Sequence, residues 1–154
     1  MKATIAPTLR NATATDATAV EALLAAAQLP LVGVRDALES FTVAEDGSRI
    51  VGVAGIEECG EDTGYALLRS VAVDPEWRGR ELGQALVARA IASAQERGIR
   101  SLYLLTTTAE AWFPRFGFAI TSRDAVPDEV RASAEFCSAC PASATVMVLH
   151  LETA

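Results

Sequence analysis

The chain of 154 residues carries 20 acidic and 13 basic side chains, for a formal net charge of −7, and 51% of its residues are hydrophobic. This length suits one domain, and the apolar content excludes an intrinsically disordered chain. The acidic balance argues against a nucleic-acid partner, which needs a concentrated basic surface, although a helix N-terminus with a local arginine can still hold a phosphate. No apolar run approaches the ~18 residues of a membrane helix, and no signal-peptide h-region is present, so we expect a cytoplasmic protein without a membrane partner.

The first half of the chain predicts a strand and two helices, followed by an antiparallel meander. Thr15 and Asp16 are residue types that cap helices, and Leu29-Pro30 ends the helix that they begin. Val-rich runs flank Glu45-Asp46-Gly47-Ser48, a pattern typical of a hairpin. The predicted elements are a strand over Thr8–Asn11, a helix from Thr15 or Asp16 to about Gln28, a helix over Val34–Ser40, and strands over Phe41–Ala44, Arg49–Glu57 and Tyr65–Val73.

The second half predicts a strand–helix–strand crossover. Leu82–Arg97 has the apolar spacing of an amphipathic helix, and Gly98 is a good residue to end it. Ser101–Leu105 follows as a buried strand, and a connecting helix places two strands parallel in one sheet. The remaining predicted elements are a short helix over Ala109–Arg115 and strands over Phe116–Thr121 and Ala144–Leu151. The predicted fold class is α/β (α+β).

The segment between the crossover strand and its helix carries the clearest functional signal. After Val73 the chain turns at Asp74-Pro75-Glu76-Trp77 and opens through Arg78-Gly79-Arg80-Glu81 into the long helix. The N–H groups at a helix N-terminus bind phosphate oxygens, small residues let the backbone approach a ligand, and arginines add positive charge. The pattern indicates a site for a phosphate-bearing ligand.

This loop resembles the acetyl-CoA signature Q/R-x-x-G-x-G/A of the GNAT superfamily of N-acetyltransferases. Arg78 takes its first position and Gly83 its last, whereas Glu81 stands where the middle glycine is expected. The resemblance continues over Leu68–Pro75 and Phe113–Phe118, and implies one domain over residues 1–154. It also implies a mixed sheet of about six or seven strands flanked by helices, with a splayed strand pair that holds acetyl-CoA as co-substrate. The cofactor residues implied are Val71, Ala72, Val73, Arg78, Gly79, Arg80, Glu81, Leu82, Gly83, Thr107 and Phe113.

Three further phrases resemble the GNAT subgroup that is encoded beside bacterial arsenic-resistance genes. They are Ala66–Ser70, Leu104–Glu110, and Arg131–Phe136 together with Cys140–Ala144. The resemblance implies transfer of an acetyl group to the amine of a small molecule, with an amino-acid-like toxin or an organoarsenical as the candidate acceptor. GNAT proteins often dimerise, so a homodimer is also expected.

Catalysis by this chain requires a proton acceptor for the amine and a donor for the departing thiolate. The tyrosine that serves GNAT proteins as acid is replaced by Phe113, so the thiolate leaves unaided or is assisted by water or by a hydroxyl of residues 106–108, all threonines. Glu57 is the predicted base. Glu57 and Glu58 point to opposite faces of a strand, so at most one of them faces the cleft. A solvated carboxylate beside a turn is the alternative for Glu57.

Several polar side chains are candidates for substrate binding. Arg69 lies in an otherwise apolar strand and needs a partner, which is either a substrate carboxylate or Glu57. Arg35 lies in the region that GNAT folds use as a lid, with an ordinary surface charge as the alternative. Ser70 and Glu135 complete the predicted substrate set.

The three cysteines do not predict a metal site. Cys137 and Cys140 have CxxC spacing, but zinc normally takes four ligands and His150 is the only histidine. We expect no metal cofactor, with reduced thiols preferred over contact with a trivalent metalloid. The competing function is a non-catalytic GNAT domain that binds acetyl-CoA or a metalloid as a sensor or accessory protein, which Phe113 and Glu81 both favour.

Overall fold

The computed structural model describes residues 7–60, 62–78, 81–133 and 144–151. They form a mixed sheet of seven strands in the order β1-β2-β3-β4-β5-β7-β6, as expected from the predicted class. The strands are β1 (Thr8–Asn11), β2 (Phe41–Asp46), β3 (Arg49–Glu58), β4 (Tyr65–Val73), β5 (Ser101–Thr106), β6 (Ala119–Thr121) and β7 (Thr145–His150). The α-helices are α1 (Ala17–Ala26), α2 (Val34–Ala37), α3 (Leu82–Glu96) and α4 (Asp128–Arg131).

A polar network fixes the start of α1. A 3-10 turn over Ala14–Asp16 precedes the helix, with Thr13 as its N-cap, and the Thr13 N–H donates to the Asp16 carboxylate at 2.7 Å. Arg10 donates to both oxygens of Asp16, at 2.8 and 3.0 Å, and also pairs with Glu45. These contacts lower the pKa of Asp16 to about 2, chiefly through the Arg10 hydrogen bonds.

The described residues form three apolar cores, which are divided between the two faces of the sheet because successive side chains of a strand point to opposite faces. On one face, α3 buries Leu86, Val87 and Ala90 against β3, β4 and β5. On the other face, Val20 and Leu24 of α1 pack with Val34, Phe41 and Val53. Alternation explains the division, since Val53 belongs to the second core and its neighbour Ala54 to the first.

The predicted crossover is confirmed, and its two strands pair over only part of their length. β4 and β5 run parallel, with register partners only at Tyr65, Ala66 and Leu67 of β4. Every other strand pair is antiparallel. Beyond Leu67 the two strands separate, and β5 pairs instead along its other edge with β7.

The helix predicted over Val34–Ser40 is α-helical only to Ala37 and continues as a 3-10 turn over Leu38–Ser40. The elements predicted over residues 109–121 differ more from the structure. The expected helix over Ala109–Arg115 is a turn followed by a 3-10 turn over Phe113–Phe116. Pro114 lacks an N–H, and Gly117 at φ 99° stops any helix at that point. The strand predicted from Phe116 therefore begins only at Ala119, as β6. Among the described residues, no helix has both the length and the apolar character needed to cross a membrane.

Candidate active site

The gap between β4 and β5 is a cleft of about 310 Å³, which we call the inner cleft. Its β4 wall is residues 68–73 and its β5 wall residues 104–106. Leu29 from the α1–α2 connection closes one side, and Thr108, Ala109, Trp112 and Phe113 close the other. Because the register pairs β4 with β5 only as far as Leu67, the β5-facing edge of residues 68–73 meets the cleft instead of a strand.

A β-bulge shapes the β4 wall. Val53 lies opposite Ala72 and Gly55 opposite Arg69, so Ser70 and Val71 together face the single residue Ala54. Ser70 adopts the left-handed conformation at φ 59°, which is uncommon for a residue other than glycine. A bulge bends the strand that contains it and increases its local twist, and bulges are common beside active sites. The bulge therefore accounts for the divergence of β4 from β5.

A second cavity of about 340 Å³, which we call the outer recess, adjoins the inner cleft. The two share Val73, Gly83 and Trp112, so they form one continuous groove past the N-terminus of α3. Arg78 and Arg115 line the outer recess, together with Trp77, Glu81, Leu82 and Gln84. The first N–H groups of a helix have no partner within it, and those of α3 begin at this groove.

Glu81 is the N-cap of α3 and has the left-handed conformation, at φ 61° and ψ 15°. The position therefore has the backbone geometry that glycine adopts without a steric penalty. Its side chain makes no capping hydrogen bond, and it is exposed. Glu81 places a carboxylate in the recess that also holds Arg78 and Arg115.

Arg69 and Glu57 form an ion pair on the face of the sheet opposite α3. The Arg69 guanidinium, whose side chain is 0% exposed, donates to Glu57 at 2.8 Å. Its Nε donates to the Ser70 hydroxyl at 3.1 Å, and the other terminal nitrogen approaches the Pro30 carbonyl at 3.4 Å. Arg69 thus links the β4 bulge, the end of β3 and the α1–α2 connection. Glu57 is not among the residues that line the inner cleft, and instead lines a separate cavity of about 340 Å³ together with Asp36 and Glu58.

Aromatic rings form the wall of the groove next to α3. The Trp112 ring packs edge-on against Phe113 at 5.0 Å and against Phe116 at 5.1 Å, measured between ring centroids. Phe113 is buried and lines the inner cleft, so the position predicted for the acid holds a ring without a hydroxyl. Two threonine hydroxyl groups line the same cleft: Thr108, and Thr106, whose oxygen accepts from the Ala109 N–H at 2.9 Å.

The groove contains most of the predicted site residues that the structure describes. Of the predicted cofactor residues, Val71, Ala72, Val73, Gly83 and Phe113 line the inner cleft, and Arg78, Glu81 and Leu82 line the outer recess. Thr107 is exposed and lines neither cavity. Gly79, Arg80, Glu135, Cys137 and Cys140 lie outside the described residues.

Predicted substrate residues are divided between the cleft and the surface. Arg69 and Ser70 line the inner cleft. Arg35 instead pairs with Glu21 at 2.6 Å, its side chain is 60% exposed, and it lines neither the cleft nor the recess. Within the described ranges, no group of three or more His, Cys, Asp or Glu side chains could hold a metal ion.

Sequence reasoning missed several residues of the groove. Trp112 and Arg115 belong to a segment that was predicted as an ordinary short helix, and Leu29 to a helix end. Trp112 and Arg115 do not belong to a local sequence pattern that indicates ligand binding. Their place in the groove depends on how β5 and the 3-10 turn pack against α3.

Comparison with known proteins gives a family and a set of structural relatives. The family model described as "Acetyltransferase (GNAT) domain" matches residues 37–120. An amino-acid acetyltransferase of Aeromonas salmonicida is 36% identical over 81 residues, which are 53% of this chain and 18% of that protein. A second such protein, from Pseudomonas fluorescens, is 33% identical over 96 residues, or 62% of this chain and 22% of its own length. The chain thus spans about a fifth of the length of these curated relatives.

Two solved structures resemble the whole chain. The N-acetylglutamate synthase of Neisseria gonorrhoeae, complexed with coenzyme A and N-acetyl-glutamate, superposes with a TM-score of 0.80 at 22% identity. That match covers 98% of this chain and 36% of the synthase, and it shows the fold alone. Rv2747 from Mycobacterium tuberculosis, in complex with CoA and NLQ, has a TM-score of 0.78 at 25% identity, with 95% of this chain and 100% of that chain covered.

Proposed function

Because the chain belongs to the GNAT acetyltransferase domain family, we propose that it transfers the acetyl group of acetyl-CoA to the amine of a small, carboxylate-bearing acceptor. The observation that carries the proposal is the groove formed where β4 and β5 separate beside the N-terminus of α3. The relatives that are named amino-acid acetyltransferases, and the CoA-bound Rv2747 structure, support the same donor and acceptor classes.

The groove fits the donor in its chemistry. Pantetheine is an extended chain with amide groups, and the edge of β4 along residues 68–73 offers backbone N–H and C=O groups to such a chain. The N–H groups at the start of α3, with Arg78 and Gly83 nearby, suit the pyrophosphate. Glu81 opposes this fit, because its carboxylate lies in the same recess as the phosphates would.

Acetyl-CoA supplies an activated acyl carbon, since its thioester carries a stable thiolate leaving group. The acceptor nitrogen forms a bond to that carbon as the carbon–sulfur bond breaks, and one proton passes from the nitrogen to a base. Glu57 is the proposed base, because it pairs with the cleft residue Arg69 and also lines the cavity that it shares with Asp36 and Glu58. The hydroxyls of Thr106 and Thr108, like that of Ser70, line the cleft and can donate a hydrogen bond to the thiolate.

Arg69 is the proposed binding group for the acceptor's carboxylate. Each terminal nitrogen of the Arg69 guanidinium carries two hydrogens, and its contact to Glu57 or to the Pro30 carbonyl uses one of them. The group therefore retains donors for a ligand. The planar guanidinium recognises a carboxylate through paired hydrogen bonds. Its burial strengthens such a contact, since the charge is shielded from water. An α-amino acid, or a toxin that resembles one, has the amine and the carboxylate that this arrangement requires; the arsenic-related acceptor remains a prediction.

The test is acetyl transfer to a panel of amino acids, each paired with its carboxamide, with release of free CoA thiol and the mass of the product as readouts. We expect turnover of at least one amino acid and a loss of roughly a hundredfold in kcat/KM for its carboxamide. In Arg69→Gln the ratio of kcat/KM for the amino acid to kcat/KM for its carboxamide should approach one. Because that variant removes the cation that pairs with Glu57, Arg69→Lys serves as the second variant, since it keeps a positive charge beside Glu57 but loses the paired hydrogen bonds of a guanidinium; circular dichroism checks that both variants fold.

Three outcomes contradict parts of this proposal. Equal rates for acid and amide in the natural protein would remove the carboxylate requirement. An unchanged ratio in both Arg69 variants would assign carboxylate binding to another group. Binding of CoA without turnover of any amine would favour a non-catalytic acetyl-CoA-binding domain instead.

A further inference from the structure

The outer recess concentrates positive charge in a protein that is acidic overall. The chain has a formal net charge of −7, yet the described residues that line the recess include two arginines, Arg78 and Arg115, and one carboxylate, that of Glu81. The recess also contains two tryptophans, Trp77 and Trp112. Guanidinium groups beside flat aromatic rings are the features that bind phosphate and a nucleobase.

Arg115 is held in place without using its terminal nitrogens. Its Nε donates to the Trp112 carbonyl at 2.9 Å, and the guanidinium carbon lies 5.2 Å from the centre of the Trp112 ring. The ion pairs found among the described residues do not include Arg115. The exposed guanidinium therefore has its two terminal nitrogens available on the wall of the recess.

The order of the chemical groups in coenzyme A decides which phosphate reaches Arg115. The thioester and the pantetheine arm come first and belong to the inner cleft under the proposed function. The pyrophosphate follows and belongs to the N-terminus of α3, where Gly83 lines both cavities. The adenosine with its 3′-phosphate comes last, so it reaches the outer recess beyond Gly83.

We propose that Arg115, braced by Trp112, binds the 3′-phosphate of coenzyme A and so makes the protein select coenzyme A over dephospho-CoA. The inference rests on the proposed function, because it needs the donor to occupy the groove. It adds to that function a specificity residue in the segment after β5, outside the phosphate-binding loop. A 3′-phosphate carries up to two negative charges, and a guanidinium on the surface of the groove stabilises it by direct charge-assisted hydrogen bonds.

The experiment is calorimetric titration of the natural protein, Arg115→Gln and Arg89→Gln with CoA and with dephospho-CoA. Arg89 is a matched control because it is also an exposed arginine, lies on α3 and lines neither cavity. We expect the natural protein and Arg89→Gln to bind CoA about tenfold more tightly than dephospho-CoA. In Arg115→Gln that ratio should fall to about twofold or less, with little change in the Kd of dephospho-CoA. The ratio of the natural protein should also fall as the salt concentration rises.

Two results would overturn the inference while leaving the proposed function standing. One is equal binding of CoA and dephospho-CoA by the natural protein. The other is an equal loss of affinity for both ligands in Arg115→Gln, which would assign Arg115 to the pyrophosphate or to the adenine. Failure of the natural protein to bind either ligand would instead refute the proposed function, and the inference with it.

Discussion

The backbone conformation of Glu81 makes a quantitative prediction about stability. A non-glycine residue in the left-handed region costs about 1–2 kcal/mol relative to its relaxed conformation, and Glu81 has φ 61°. Glycine relieves that cost but loses about 0.4–1 kcal/mol through the greater freedom of its unfolded chain. Glu81→Gly should therefore be more stable than Glu81→Ala by about 1 kcal/mol, or about 2–4 °C in Tm for a chain of this size.

Comparing Glu81→Gly with Glu81→Ala isolates the contribution of the backbone conformation to the free energy of unfolding. Both variants remove the carboxylate, so both lose the same favourable interaction of a negative charge with the α3 N-terminus, about 0.3–1 kcal/mol. The side chain makes no capping hydrogen bond that either variant could lose. Denaturant melts of the two variants, fitted with a common m-value, give the difference directly. Equal stabilities, or a more stable alanine variant, would refute the left-handed assignment at this position.

The charge of Glu81 makes a separate contribution to ligand binding. Glu81→Gln keeps the strained backbone and removes the carboxylate from the recess that holds Arg78 and Arg115. Charges at contact distance in water interact by about 1 kcal/mol, so Glu81→Gln should tighten CoA binding by about fivefold. An unchanged Kd in a calorimetric titration would mean that the carboxylate stays away from the phosphates.

Two further predictions concern stability. The pKa of Asp16 is lowered from 3.8 to about 2 by Arg10, so its carboxylate contributes about 2 kcal/mol above pH 4, and that contribution disappears as the pH falls through 2. The difference in unfolding free energy between the natural protein and Asp16→Asn should accordingly narrow from about 2 kcal/mol at pH 7 toward zero near pH 2. Urea melts across that pH range measure the difference. A constant difference would contradict the Arg10–Asp16 ion pair as the source of this stability. Gly55→Ala should destabilise the protein by about 1–3 kcal/mol, because the added Cβ would lie 2.5 Å from the ring of the fully buried Phe41. At Gly83 the nearest neighbouring side-chain atom would lie 3.6 Å from an added Cβ, so Gly83→Ala should be neutral or stabilising. Thermal melts of both variants measure the difference. Equal Tm values for the two alanine variants would show that the sheet adjusts around Gly55.

Local patterns in the sequence predicted the elements well because their causes lie within a few residues. The strands at Thr8–Asn11 and Tyr65–Val73 match the prediction at both ends, and the helix predicted over Leu82–Arg97 is one residue shorter. Prediction was weaker over Ala109–Thr121. Alanines favour a helix there, but the contact of Ala109 with Thr106, the ring of Pro114 and the left-handed Gly117 replace it by turns.

The sequence also indicated a loop that is predicted to bind the cofactor, through Arg78, Gly83 and the start of a long helix. It identified Glu81 as a departure from the family pattern, whose conformational cost depends on whether φ is positive. The structure shows that φ is positive, at 61°. The gap between β4 and β5 was expected only by resemblance. Its cause, the bulge at Ser70, has no local signature, because serine shows no strong preference for the left-handed region.

The sequence by itself therefore determined the order of the elements, the crossover, and the loop where a phosphate-bearing ligand is expected. Only the tertiary structure shows that Arg69 pairs with Glu57 across β3 and β4. Only the tertiary structure brought Arg115 and Trp112 beside Arg78. The physical reason is that periodicity and turn chemistry act between near neighbours in the chain. Distances between side chains on different elements depend on strand register, on one extra residue in β4, and on how the segment after β5 packs against α3.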